Sequence, residues 1–78
     1  MERKVTESGQ KVQLSGEIRG ARSRLALSQA ELAELVGVSR QTVNAWERGR
    51  RQPDADEIKA IAHATGVSVA RLFGEEAA

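Results

Sequence analysis

Residues 27–49 read Leu27-Ser-Gln-Ala-Glu-Leu-Ala-Glu-Leu-Val-Gly-Val-Ser-Arg-Gln-Thr-Val-Asn-Ala-Trp-Glu-Arg-Gly49, and the punctuation of this stretch decides the fold. Ser28 and Glu31 stand three apart ahead of an apolar run. That is the spacing at which a hydroxyl and a carboxylate satisfy each other's backbone N–H groups at a helix start. Leu32, Ala33 and Val36 then fall on one side of a helix, and Gly37 supplies the left-handed residue that closes it. Ser39 offers a second N-cap, and the segment from Arg40 to Glu47 turns Val43 and Trp46 to one side. Two short helices joined by Gly37-Val38-Ser39 make a helix-turn-helix arrangement.

Upstream, Leu14, Ile18, Ala21 and Leu25 recur at spacings of three and four, a helical apolar face that Ser15 can cap and that runs to about Leu25. Residues 1–13 carry only Val5 and Val12 as large apolar side chains and read as a flexible N-terminal arm. Downstream, Gly49 ends the third helix inside the basic loop Arg48-Gly-Arg-Arg51. Pro53 and Asp54 open a fourth helix, with Asp54 and Glu57 as a second reciprocal cap. Its stripe is Ile58, Ile61, Ala62 and Thr65, closed by Gly66. A last short helix starts at Ser68 and carries Val69, Leu72 and Phe73 before Gly74. Residues 75–78 form a solvated tail. The expected architecture is all-α, five helices in one compact domain over residues 14–74.

Composition narrows the chemistry. The chain has 78 residues, no cysteine and one histidine, so disulfides, thiolate metal sites and cysteine nucleophiles are excluded and packing alone must hold it together. No acid–base pair beside a nucleophile, Gly-rich phosphate loop or metal cluster is visible, so no enzyme, catalytic residue, metal or cofactor is expected. The charged start lacks a signal core, and no apolar run approaches the roughly 20 residues of a membrane helix; a cytoplasmic protein without membrane contact is expected. The formal charge of +1 hides an uneven distribution: residues 39–51 carry four basic and one acidic side chain, residues 52–78 two basic and five acidic. A basic strip therefore lies on and just after the third helix.

The quoted stretch closely resembles the helix-turn-helix of the phage repressor, Cro and Xre-type transcriptional regulators. Its Ser-Gln-x-x-Leu-Ala opening, Gly turn, Ser-Arg-Gln-x-Val and Trp-Glu-x-Gly ending are all in register, and the likeness extends from about Leu14 through Phe73. The resemblance implies a lambda-repressor-like DNA-binding domain of bacterial or phage origin, acting on the nucleoid. In that family the third helix enters the major groove and reads base edges, which here assigns Arg40, Gln41 and Asn44. With Val43 and Trp46 inward, helix geometry turns Gln41, Asn44 and Arg48 outward and leaves Arg40 at the edge. Arg can bond guanine, and Gln adenine, through two hydrogen bonds each. Their bland alternative is a solvated helix face.

The resemblance also implies that Gln29 grips the DNA backbone at a helix N-terminus, a surface glutamine being the alternative. Ser39 and Thr42 border the reading strip and reach for phosphates or a thymine methyl. Arg48, Arg50 and Arg51 straddle a phosphate row, against the alternative of a merely solubilising loop. Arg22 and Glu47 match positions that pair internally in several relatives, with Arg22 on a phosphate as the rival. Arg19 and Arg24 are expected to be surface charges. Leu32, Val36, Val38, Val43, Ile58, Ile61, Leu72 and Phe73 are core, Trp46 is mostly buried, and His63 is solvated. Ala33 and Gly37 are small where two helices cross closely. Leu35 stands where relatives often carry a long polar residue; it is either an exposed leucine or part of a contact patch.

Function follows as sequence-specific binding of an operator in double-stranded DNA by a transcriptional regulator, a repressor first. A homodimer, at least on DNA, is expected, with half-sites about 10 base pairs apart and its surface near Val67, Val69, Leu72 and Phe73. No small-molecule effector is expected. The alternative is an antitoxin or transcription-machinery adaptor that uses the same fold to bind protein. The arm, with Arg3, Lys4 and Lys11, is open to two readings, a basic arm in the minor groove or plain disorder.

Overall fold

A computed structural model describes residues 6–74, with side chains from Leu14 onward. The described residues form α1 (Thr6–Arg24), α2 (Gln29–Val36), α3 (Arg40–Glu47), α4 (Ala55–Thr65) and α5 (Val69–Leu72), with no strand among them.

The caps explain the boundaries. Ser28 Oγ accepts from Glu31 N at 3.0 Å while Glu31 Oε1 accepts from Ser28 N at 2.8 Å. Asp54 and Glu57 repeat the arrangement ahead of α4, at 2.8 and 2.9 Å. Ser39 and Ser68 cap α3 and α5. Gly37 closes α2 at φ 87°, with Val38 N reaching back to Ala33 O at 3.0 Å. A Cβ at Gly37 would meet no atom within 4 Å. Glycine is therefore required there by the backbone and not, as expected, by close helix crossing. Ala33 is buried in the core.

α1 begins earlier than the periodicity indicates. Residues 6–13, expected within the arm, are helical, and residues 1–5 lie outside the described residues. No proline interrupts Thr6 to Leu14, so nothing in the backbone stops the helix from extending upstream. Ser15 is consequently an interior residue of α1 and not its cap. It is buried, and its Oγ donates to Trp46 O at 2.8 Å.

The core gathers Leu14, Ile18, Ala21, Leu32, Ala33, Val43, Trp46, Ile58, Ile61, Val67 and Leu72. Val36 and Val38 pack against it half-buried. Two expected members fall outside. Leu25 is exposed because α1 stops at Arg24 and the chain reverses through Ala26 at φ 57°, handing the inward place to Leu27. Phe73 is 40% exposed because α5 is a single turn whose inward position is taken by Leu72. Leu35 is exposed and so is His63. No described helix is long and apolar enough to cross a membrane.

Candidate nucleic-acid interface

One side of α3 is locked before the other becomes available. Val43, Trp46 and Glu47 are buried, at 0, 1 and 4% exposure. Burial of a carboxylate demands partners, and Glu47 has them from two other helices. Arg22 Nε donates to Oε2 at 2.7 Å and Arg22 Nη2 to Oε1 at 2.9 Å, a two-pronged pair. Gln29 Nε2 adds a bond to Oε1 at 3.1 Å. Arg22 Nη1 also reaches Leu27 O at 3.0 Å, tying the α1–α2 turn to the same centre. Burial pushes the Glu47 carboxyl up, but the bonds from Arg22 and Gln29 and the charges of Arg22 and Arg19 outweigh it and hold the group below its ordinary value. The bond to Glu47 raises Arg22 above its own.

Arg19 is exposed, as expected, and also reaches this centre. Its Nη2 donates to the Glu47 carbonyl at 2.9 Å. The last carbonyls of a helix lack intrahelical donors, and the guanidinium supplies one. A signal for it exists in the sequence: Arg19 and Arg22, three apart, share one face of α1.

The opposite side of α3 is polar and open. Arg40 and Gln41 are exposed and Asn44 is half-buried. Arg40 Nη1 donates to Gln29 Oε1 at 3.3 Å. The Gln29 side chain, expected to hold a phosphate, is thus engaged between Arg40 and Glu47, while its backbone N–H sits in the first turn of α2 without an intrahelical acceptor. Gln41 has no side-chain partner among the described residues. Asn44 Oδ1 accepts from Arg48 Nε at 3.1 Å. Ser39 Oγ accepts from Thr42 N at 3.1 Å and lies 3.0 Å from Thr42 Oγ1.

The basic loop follows at once. Gly49 at φ 75° reverses the chain, with Arg50 N bonded to Ala45 O at 2.9 Å. Arg51 divides its guanidinium between Glu57 Oε2 at 3.2 Å and Thr42 Oγ1 at 3.5 Å. Arg50 is exposed and makes no side-chain bond among the described residues. The bonds gather Ser39, Thr42 and Arg51 in one group, Asn44 with Arg48 in a second and Arg40 with Gln29 in a third, while Gln41 and Arg50 stand exposed without a side-chain bond among the described residues. Among the described residues no cluster of His, Cys, Asp and Glu could hold a metal ion.

Known proteins share this fold and parts of this sequence. The model of the helix-turn-helix family matches residues 18–72. An uncharacterised HTH-type transcriptional regulator of Methanothermobacter thermautotrophicus is 51% identical over 49 residues, covering 63% of this chain and 71% of the relative. Repressor protein C2 of Salmonella phage P22 is 40% identical over 53 residues, 67% of this chain but 24% of that repressor. The crystal structure of the P22 c2 repressor in complex with a synthetic operator superposes with a TM-score of 0.77 at 30% identity, covering 81% of this chain and 96% of that one. With the caps, the turn, the buried carboxylate and the matched residues in agreement, the chain belongs to the phage repressor, Cro and Xre-type helix-turn-helix family of transcriptional regulators.

Proposed function

We propose that this chain is a repressor that binds an operator in double-stranded DNA by laying α3 in the major groove. The observation that carries the proposal is the two-sidedness of α3. Val43, Trp46 and Glu47 anchor one side so completely that the helix cannot roll, and Arg40, Gln41 and Asn44 project from the other. These are the base readers. Arg40 spends one of five guanidinium N–H groups on Gln29, leaving more than the two that guanine O6 and N7 accept. Ser39, Thr42, Arg48, Arg50, Arg51 and the first turn of α2 at Gln29 contact the phosphate backbone. No small-molecule effector enters this reading.

The chain acts as a homodimer on its operator. Of the residues expected at the dimer surface, Val67 and Leu72 belong to the core, while Val69, which opens α5, and Phe73, which follows it, remain exposed. Those two side chains are the apolar material for self-association.

The test is selection of bound duplexes from a random pool at moderate salt, followed by titration of the selected duplex at increasing salt. A single enriched motif with two related half-sites and a steep loss of affinity with salt support the proposal. The absence of any enriched sequence would sink it, and salt-insensitive, sequence-blind behaviour would favour a protein-binding adaptor.

A further inference from the structure

The two amide side chains of the reading face are not equivalent. Gln41 is exposed and unpartnered among the described residues, so either end of its amide can turn to a base. Asn44 is held twice by one residue. Arg48 N donates to the Asn44 backbone carbonyl at 3.0 Å, and Arg48 Nε donates to Asn44 Oδ1 at 3.1 Å. A guanidinium has donors and no acceptor, so only the oxygen of the amide can face it. The planar amide then presents its NH2 on the edge away from Arg48.

That polarity matters for base choice. A two-bond contact to adenine needs both ends of an amide, the NH2 for N7 and the oxygen for the N6 amino group. Guanine presents only acceptors, N7 and O6, on its major-groove edge. The held oxygen keeps a second lone pair, but Arg48 fixes the side on which it lies, so the NH2 is the end left to turn to a base, which suits guanine. Arg48 is also one of the arginines assigned to the phosphate row. Its Nη groups remain for a phosphate while Nε stays on Asn44.

We propose that Asn44 reads guanine in preference to adenine, and that Arg48 is the positioning residue that sets this choice by holding the amide oxygen. The inference rests on the assignment of α3 as the reading helix. The test compares base preferences selected from a random duplex pool by the unaltered chain and by Arg40→Ala, Gln41→Ala, Asn44→Ala and Arg48→Met, each first checked by circular dichroism for unchanged helix content. Asn44→Ala identifies its position as the one whose preference flattens. The expected result is guanine over adenine there by on the order of tenfold, and a ratio near one or reversed toward adenine in Arg48→Met. Loss of a phosphate contact weakens all sequences together and leaves that ratio unmoved, so the ratio separates positioning from backbone binding. Adenine at this position in the unaltered chain, or an unchanged ratio in Arg48→Met, overturns the inference. If Arg40→Ala and Gln41→Ala flatten their own positions while Asn44→Ala flattens none, the reading helix stands and this inference falls. If none of the three flattens any position, the reading helix itself is wrongly assigned and the inference falls with it.

Discussion

Arg19 and Arg22 on α1 and Arg48, Arg50 and Arg51 beyond α3 are the same residue type within one small bundle, yet they do different work. The first two converge on Glu47, one on its carboxylate and one on its carbonyl, and so fix α1 against α3. The other three cluster around Gly49, where Arg50 has no protein partner among the described residues and Arg51 meets a carboxylate only at the surface. Net charge does not distinguish the groups. What separates them is whether a buried acceptor on another helix lies within reach, because a buried acceptor claims a donor before solvent or a ligand can.

The sharpest way to break this comparison is to remove the shared acceptor. Glu47→Ala leaves Arg22 facing a desolvated gap and releases Gln29. Loss of one partner from such a pair typically costs about 3–5 kcal/mol, and the partial exposure of Arg22 places the expectation near the low end. In a domain of this size that is a large share of the total stability, and urea denaturation will read it. The same centre gives a pH signature. The folded Glu47 carboxyl lies below its ordinary value, so the unfolded chain takes up the proton more readily. Its stabilisation is complete above the unfolded pKa of about 4.3 and is lost as the pH falls through the lower folded value. Glu47→Gln should flatten this acid limb of the stability curve; an unaltered limb would show that other carboxylates govern it.

On the open side, effects should appear in binding and hardly at all in stability. Gln41→Ala is expected to lower discrimination at one base position by about 1–3 kcal/mol with an unchanged urea midpoint. Arg50→Ala is expected to weaken every duplex alike and to reduce the salt slope by about one unit. A position-specific change in Arg50→Ala would move that residue from the phosphate row to the reading face. A drop in the urea midpoint for either variant would mean that the two groups are less separate than the bond network indicates.

The helix-turn-helix was legible because its signals are local: Ser28 with Glu31, Gly37, Ser39, and Val43 with Trp46 each act within one or two turns. The pairing of Arg22 with Glu47 could be anticipated only through the family likeness, since the two lie far apart in sequence and nothing local couples them. Arg19 was missed for a related reason. Its partner is a backbone carbonyl, which no residue type marks, so the shared face of Arg19 and Arg22 on α1 was the one signal and it named no partner. Leu25 and Phe73 misled because each continues a helical spacing past the point where the backbone turns. Ser15 misled in the other direction, since a buried serine inside a helix and a capping serine look alike until its acceptor, the Trp46 carbonyl, is in place.

The smallest expected effect concerns the turn that delivers Arg22 to its partners. Ala26 adopts φ 57°, and Leu27 N bonds Arg22 O at 2.9 Å across it, the closure that α2 achieves with Gly37. A left-handed residue with a Cβ costs roughly 1–2 kcal/mol, whereas glycine adds back about 0.5–1 kcal/mol in lost chain freedom. Ala26→Gly should therefore stabilise the chain by about 0.5–1 kcal/mol, a shift visible in the urea midpoint at constant slope. Because Arg22 Nη1 is anchored on the Leu27 carbonyl at the far side of this turn, the gain should leave operator affinity unchanged. If Ala26→Gly instead destabilises the chain, the alanine is rigidifying the approach of Arg22 to Glu47, and the turn belongs to the same structural unit as the buried pair.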